Sequence, residues 1–173
     1  MNNSNAVSFA HKLCESGKCF DVAIDATLGN GHDSLFLSSL FKKIYAFDIQ
    51  NLAIKRSKKR LNNISNVEII LDSYTNFDNY ILEKVDLILY NLGFLPGSDH
   101  KIITSAKDTI ISIKKGIEIL KDDGQIIIVI YTRHDSYQEY NDILSFLKTL
   151  NNHISYFLFT NFEYERIIKI TKK

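Results

Sequence analysis

The segment Asp25-Ala26-Thr27-Leu28-Gly29-Asn30-Gly31-His32-Asp33 constrains this chain more than any other. An apolar run, Val22-Ala23-Ile24, precedes it, and Ser34-Leu35-Phe36-Leu37-Ser38-Ser39-Leu40 follows with the pattern of a helix. A strand, a glycine-bearing loop and a helix start make a place to hold a nucleotide-like ligand. The glycines let the backbone turn sharply and let a ligand come close. The acid at position 25 narrows the ligand, because a carboxylate beside the loop repels a pyrophosphate and suits a cationic end. The dinucleotide fingerprint needs a third small residue three positions after the second Gly, and Ser34 gives only a partial match. No Gly-Lys-Ser/Thr follows, so the P-loop is excluded. A Gly-x-Gly loop alone also arises in plain structural turns, so its weight depends on supporting residues.

The first support is Phe47-Asp48-Ile49-Gln50, at the end of a short strand starting at Lys43. Asp48 lies 19 residues beyond Gly29, close to the ~20-residue offset at which an acid meets a ribose in strand–helix–strand nucleotide folds. Its alternative role is to cap the helix that starts near Asn51.

A chain of 173 residues, 45% hydrophobic, fits one domain over residues 1–173. The net charge of +1 gives no global basic character, so a nucleic-acid contact requires a local patch. Cys14 and Cys19 have no His or Cys cluster beside them and read as reduced thiols, with no metal expected. No apolar run reaches the ~18 residues of a membrane span. Met1 to Asn5 carries neither a basic segment nor an apolar signal core, so the expected location is cytoplasmic, without a membrane partner.

Strands and helices alternate along the chain. The patterns predict helices over 6–15, 31–41, 51–62, 102–120 and 136–150, and strands over 21–26, 43–48, 67–71, 85–90 and 125–131. The nearly unbroken apolar run Gln125 to Tyr131 suits a central parallel strand buried on both faces. Two β-rich runs, 153–160 and 164–171, are joined by Asn161-Phe162-Glu163, too short for a parallel crossover. The expected fold is a doubly wound, mostly parallel α/β sheet with an antiparallel hairpin at its C-terminal end.

The fourth strand ends in Asn91-Leu92-Gly93-Phe94-Leu95-Pro96-Gly97. An Asn, a carbonyl-rich turn and an aromatic ring suit chemistry on an amine; the alternative is a Gly-Pro loop that turns the chain. The Asn91 amide oxygen and the Leu92 carbonyl can hold an amine's N–H groups and aim its lone pair, while Phe94 packs on a planar group.

Together these motifs, with Tyr131-x-x-His134 and Glu139, closely resemble the YtqB/MnmM family of small S-adenosylmethionine-dependent methyltransferases, also described as rRNA methylases. The resemblance spans about Asp21 to Lys169. The chain departs from the family pattern at Tyr74, Ser98, His100, Thr132-Arg133 and Tyr137. The resemblance implies the seven-stranded, Rossmann-like class I methyltransferase fold and S-adenosylmethionine as cofactor. It further implies a homodimer and a tRNA partner recognised at the anticodon loop. The family's reaction converts wobble 5-aminomethyl-2-thiouridine to 5-methylaminomethyl-2-thiouridine. The residues alone reach only methyl transfer to an amine, so an rRNA methyltransferase, a small-molecule amine N-methyltransferase and a non-enzymatic cofactor-binding module stand as alternatives.

Under this reading Asp25 faces the methionine end of the cofactor, directly or through water, and Thr27, Gly29, Asn30 and Gly31 wrap it. Asp48 holds the ribose, with Ile49 and Gln50 beside the adenine and Asp72 and Ser73 at its edge or in a plain turn. Asp33 closes the loop over the cofactor or caps its helix. Asn91 and Leu92 serve catalysis, and Asn91 also borders the cofactor. Phe94, Pro96, Tyr131 and Arg133 form the substrate side. An alkylammonium has no lone pair; a low-dielectric pocket beside a sulfonium lowers the amine's pKa, and any dedicated base is His134 first and Asp99 second. The basic run Lys55, Arg56, Lys58, Lys59 and Arg60 reads as a solvated helix face or a phosphate contact. Lys101, Arg133 and Arg166 lie nearer the expected active edge of the sheet, and Arg133, on the loop after the fifth strand, is the preferred RNA contact.

Overall fold

The computed structural model describes residues 6–97, 102–132, 137–150 and 154–173. Seven strands form one sheet: β1 Val22–Asp25, β2 Lys43–Asp48, β3 Val67–Leu71, β4 Val85–Leu92, β5 Leu120–Tyr131, β6 Ile154–Phe159 and β7 Glu165–Lys172. Their order is β3-β2-β1-β4-β5-β7-β6. The first five run parallel, and β7 pairs antiparallel with both β5 and β6. The helices are α1 Ala6–Glu15, α2 His32–Ser38, α3 Asn51–Arg60, α4 Ala106–Ile119 and α5 Gln138–Leu147.

Alternate residues of the central strands feed two cores, which is why their sequences are apolar throughout. Ile88 and Tyr90 of β4 face the side covered by α4 and α5, packing with Phe77, Ile113 and Ile143. Leu87 and Leu89 face the side of α1 and α2, packing with Ala10 and Leu37. At the N-terminal sheet edge Asp86 accepts from the Val22 N–H (2.9 Å) and pairs with Lys121 (2.9 Å), tying β1, β4 and β5 together.

The chain winds one way from β1 through β2 to β3 and the other way from β4 to β5. The switch point lies between β1 and β4, whose carboxyl ends open a crevice. Several elements differ from the sequence pattern. The fourth helix starts at Ala106, not 102: Ser105 caps it by accepting from the Asp108 N–H at 3.2 Å. Residues just before it are extended instead, with Ile103 bridging Phe94 and the Thr104 N–H donating to Gly93 O at 3.0 Å. The second helix ends at Ser38, and a 3₁₀ turn over Tyr74–Asn79 follows β3 where no helix pattern was visible. β4 continues through Asn91 and Leu92, paired with Val129 and Ile130. Among the described residues no helix is long and apolar enough to cross a membrane.

Candidate active site

The loop after β1 is stitched to both neighbouring strands. Ala26 N–H donates to Leu89 O (2.9 Å) and Leu28 N–H to Phe47 O (2.9 Å). Asp48 Oδ2 accepts from the Gly29 N–H at 3.0 Å and its Oδ1 from the Gln50 N–H at 2.8 Å. Burial raises the Asp48 pKa against the lowering effect of these bonds. Each oxygen keeps a lone pair for a ligand hydroxyl. Gly29 (φ 50) and Gly31 (φ 79) hold left-handed conformations. A Cβ on Gly31 would lie 3.0 Å from Ser57 Cβ, so α2 and α3 meet closely only because this residue is glycine.

Above the loop lies a cavity of about 870 Å³, within the usual range for small-molecule sites. Of the cofactor candidates, Thr27, Gly29, Asn30, Asp33, Asp48, Ile49, Gln50, Asp72, Ser73 and Asn91 line it. Leu92, Phe94, Pro96 and Tyr131 line the other side, joined by Tyr164 and Glu165, which the sequence did not single out. Asp99, Arg133 and His134, with Ser98, His100 and Lys101, lie outside the described residues.

Three expectations require correction. Asp25 does not face the cavity. It is fully buried beneath the loop, accepting from Ser34 Oγ at 2.5 Å and the Thr27 N–H at 3.2 Å. Burial, and then the charge of Asp33, push its pKa up to about 7. Its parity on β1 turns it into the loop's underside, where it anchors the turn. Gly31 likewise faces α3 rather than the ligand space. Asp33 makes no helix cap; the N-cap position is Gly31, without a side-chain bond. Instead Asp33 Oδ1 pairs with His11 Nε2 at 2.8 Å, and its Oδ2 accepts from Asn91 Nδ2 at 3.2 Å.

Asn91 is held through both its backbone and its side-chain amide. Its N–H donates to Thr27 Oγ1 at 2.7 Å, and its Oδ1 is buried without a hydrogen-bond partner. Asp72 accepts from Asn76 Nδ2, the Tyr80 hydroxyl and the Ser73 N–H, which together lower its pKa. Ser73 caps the 3₁₀ turn through the Thr75 N–H. The basic run on α3 divides. Lys55, Lys58 and Lys59 are exposed, whereas Arg56 donates to Pro96 O (2.9 Å) and Gly97 O (3.1 Å), and Arg60 to Asn30 O (2.8 Å). One turn apart, the two arginines join the glycine loop to the Pro96 loop. His11 and Arg56 had no local signature, since their partners are 22 and 40 residues away. Arg166 donates to Phe162 O, Glu165 O and the Tyr137 hydroxyl. Tyr137 has φ 72, a conformation that favours glycine.

The family described as "Putative rRNA methylase" matches residues 44–167. The chain belongs to this family. A "putative rRNA-methylase" from Clostridium thermocellum is 32% identical, superposes with a TM-score of 0.93 and covers 100% of both chains. A "putative methyltransferase" from Streptococcus mutans, solved in complex with SAH, is 33% identical with a TM-score of 0.88 over 98% of each. The "tRNA (mnm(5)s(2)U34)-methyltransferase, chloroplastic" of Arabidopsis thaliana is 30% identical over 135 residues, 69% of this chain and 49% of that protein. The chain thus spans about half the length of this curated relative. The family is the YtqB/MnmM one that the motifs resemble, and the fold is that of the class I methyltransferases.

By family and fold the protein is an S-adenosylmethionine-dependent methyltransferase, and its residues fit that cofactor. The Asp48 carboxylate suits a pair of ribose hydroxyls. Ile49, 55% exposed beside it, offers apolar surface to a planar base. Among the described residues no group of three His, Cys, Asp or Glu side chains is placed to hold a metal.

Proposed function

We propose that this methyltransferase acts on tRNA, N-methylating the 5-aminomethyl group of wobble 5-aminomethyl-2-thiouridine to give 5-methylaminomethyl-2-thiouridine. The observation that carries this reading is Asn91, which lines the cavity at the end of β4 with its NH₂ group turned to Asp33 and its Oδ1 without a protein donor. A buried polar atom left unpaired costs about 1–3 kcal/mol, which a substrate N–H donor recovers. The name of the Arabidopsis relative supports the wobble position as the target. The tRNA partner would enter by its anticodon loop. A homodimer and a cytoplasmic location complete the proposal.

When bound, the cofactor supplies an electrophilic methyl group on a sulfonium. The chain's own residues prepare the amine. Asn91 Oδ1 and the Leu92 carbonyl accept its N–H groups, leaving the lone pair unengaged. Leu92, Leu95 and Ile103 line an apolar wall that disfavours a second positive charge and lowers the amine's pKa. Phe94, 41% exposed, presents a ring face to the base.

A nucleoside mass assay tests the proposal. The protein is incubated with S-adenosylmethionine and tRNA from cells lacking the final wobble methylation. A one-methyl gain on 5-aminomethyl-2-thiouridine, absent without cofactor, is expected. No gain on that nucleoside, with cofactor binding shown on the same sample, overturns the substrate and directs attention to rRNA and small amines.

A further inference from the structure

We infer that His11 and Asp33 form a relay that fixes the Asn91 side-chain amide with its oxygen toward the substrate, making His11 a positioning residue for methyl transfer. The relay presupposes Asn91 as the acceptor of the amine and deepens that reading. An Asn amide can occupy the same space in two orientations, and only one presents its oxygen. An ionised carboxylate accepts hydrogen bonds and donates none. Asp33 Oδ2 lies 3.2 Å from Asn91 Nδ2, so the NH₂ group must turn toward Asp33. The flipped amide would set two acceptor oxygens against each other with no proton between them.

Asp33 is held from its other side. His11 Nε2 lies 2.8 Å from Oδ1 and, facing an acceptor, must carry the donated proton. The imidazole is itself fixed by stacking on Phe36, with centroids 3.8 Å apart and the planes 4° from parallel. The backbone of Asn91 is fixed by β4 and by Thr27 Oγ1. The amide flip is therefore the freedom that remains, and the carboxylate decides it.

The orientation has a chemical consequence. A flipped amide would aim N–H donors at the incoming amine, engage the lone pair that must attack, and leave the amine's own N–H groups without an acceptor. The relay thus makes α1, a helix outside the glycine loop, part of the site.

The test uses ¹⁵N-asparagine-labelled protein bound to S-adenosylhomocysteine, with the Asn91 side-chain amide resonances assigned by their loss in Asn91→Asp. These resonances should move in His11→Leu and stay in place in His11→Gln, whose side-chain amide can donate as Nε2 does. On the aminomethyl tRNA, kcat should fall about ten- to a hundredfold in His11→Leu with the cofactor KM unchanged, and recover to within about threefold in His11→Gln. Unmoved resonances in His11→Leu, or a His11→Gln enzyme as slow as His11→Leu, overturn the relay. If the wild-type protein methylates no tRNA, the proposed substrate fails and the resonances alone decide the relay. If His11→Leu does not bind S-adenosylhomocysteine, Asp33→Asn takes its place: moved Asn91 resonances support the relay and unmoved ones overturn it.

Discussion

Asp25 is a carboxylate with no exposed surface, and its folded pKa of about 7 against an ordinary 3.8 makes it a pH-dependent liability. Between those values the folded protein keeps a proton that the unfolded chain has released, so the stability this group contributes falls as pH rises and is lost above about 7. Relative to Asp25→Asn, wild-type stability should therefore decline from about pH 4 to about pH 7 and level off beyond it. Denaturant midpoints of both proteins across that range check the sign; a constant difference contradicts it. The acid was legible as part of the loop, but its direction was not. Sequence adjacency cannot tell a side chain that meets the ligand from one that holds the loop from below. Asp33 shows the same limit. Its position at a helix start suggested a cap, while its partners come from α1 and β4, brought near only by the fold.

At the level of elements, the glycine loop depends on what α3 presses against it. Gly31→Ala places a Cβ 3.0 Å from Ser57 Cβ in a left-handed conformation, and should cost about 1–3 kcal/mol of stability, read as a lower melting temperature. An unchanged Tm would show that α3 yields. Arg56 ties two loops with one planar fork. Arg56→Ala should speed hydrogen exchange around residues 29–31 and 96–97 and weaken S-adenosylhomocysteine binding several-fold. Arg56→Lys should not restore it, because one ammonium does not reproduce a fork across two carbonyls. Retained protection in Arg56→Ala would show the loops are held by their own turns. Each of the seven strands was legible from apolar runs and turn residues, and the central β1, β4 and β5 most plainly, because both of their faces are buried. The 3₁₀ turn over Tyr74–Asn79 was not: its Ser73 cap is local, but the burial of Phe77 that holds it in place comes from the tertiary fold.

For the molecule as a whole, the sheet order places the glycine loop, Asp48 and Asn91 at one crevice, and this convergence was readable once the strands were ordered. The clamp of Arg56 and Arg60 was not readable, because a basic run in sequence carries no record of which carbonyls it will meet. With a net charge of +1, RNA binding should depend on a local patch. Its affinity should fall with salt, log–log, with a slope set by the few phosphates contacted. Salt-independent binding would favour a small amine as the true substrate. The role of Asn91 in holding the amine is tested by methyl transfer to the aminomethyl tRNA by Asn91→Ala in a single turnover, with S-adenosylhomocysteine affinity measured on the same preparation. Cofactor affinity within about twofold of wild type and a rate lower by about a hundredfold or more are expected. A variant that binds the cofactor and still transfers methyl at the wild-type rate would contradict that role.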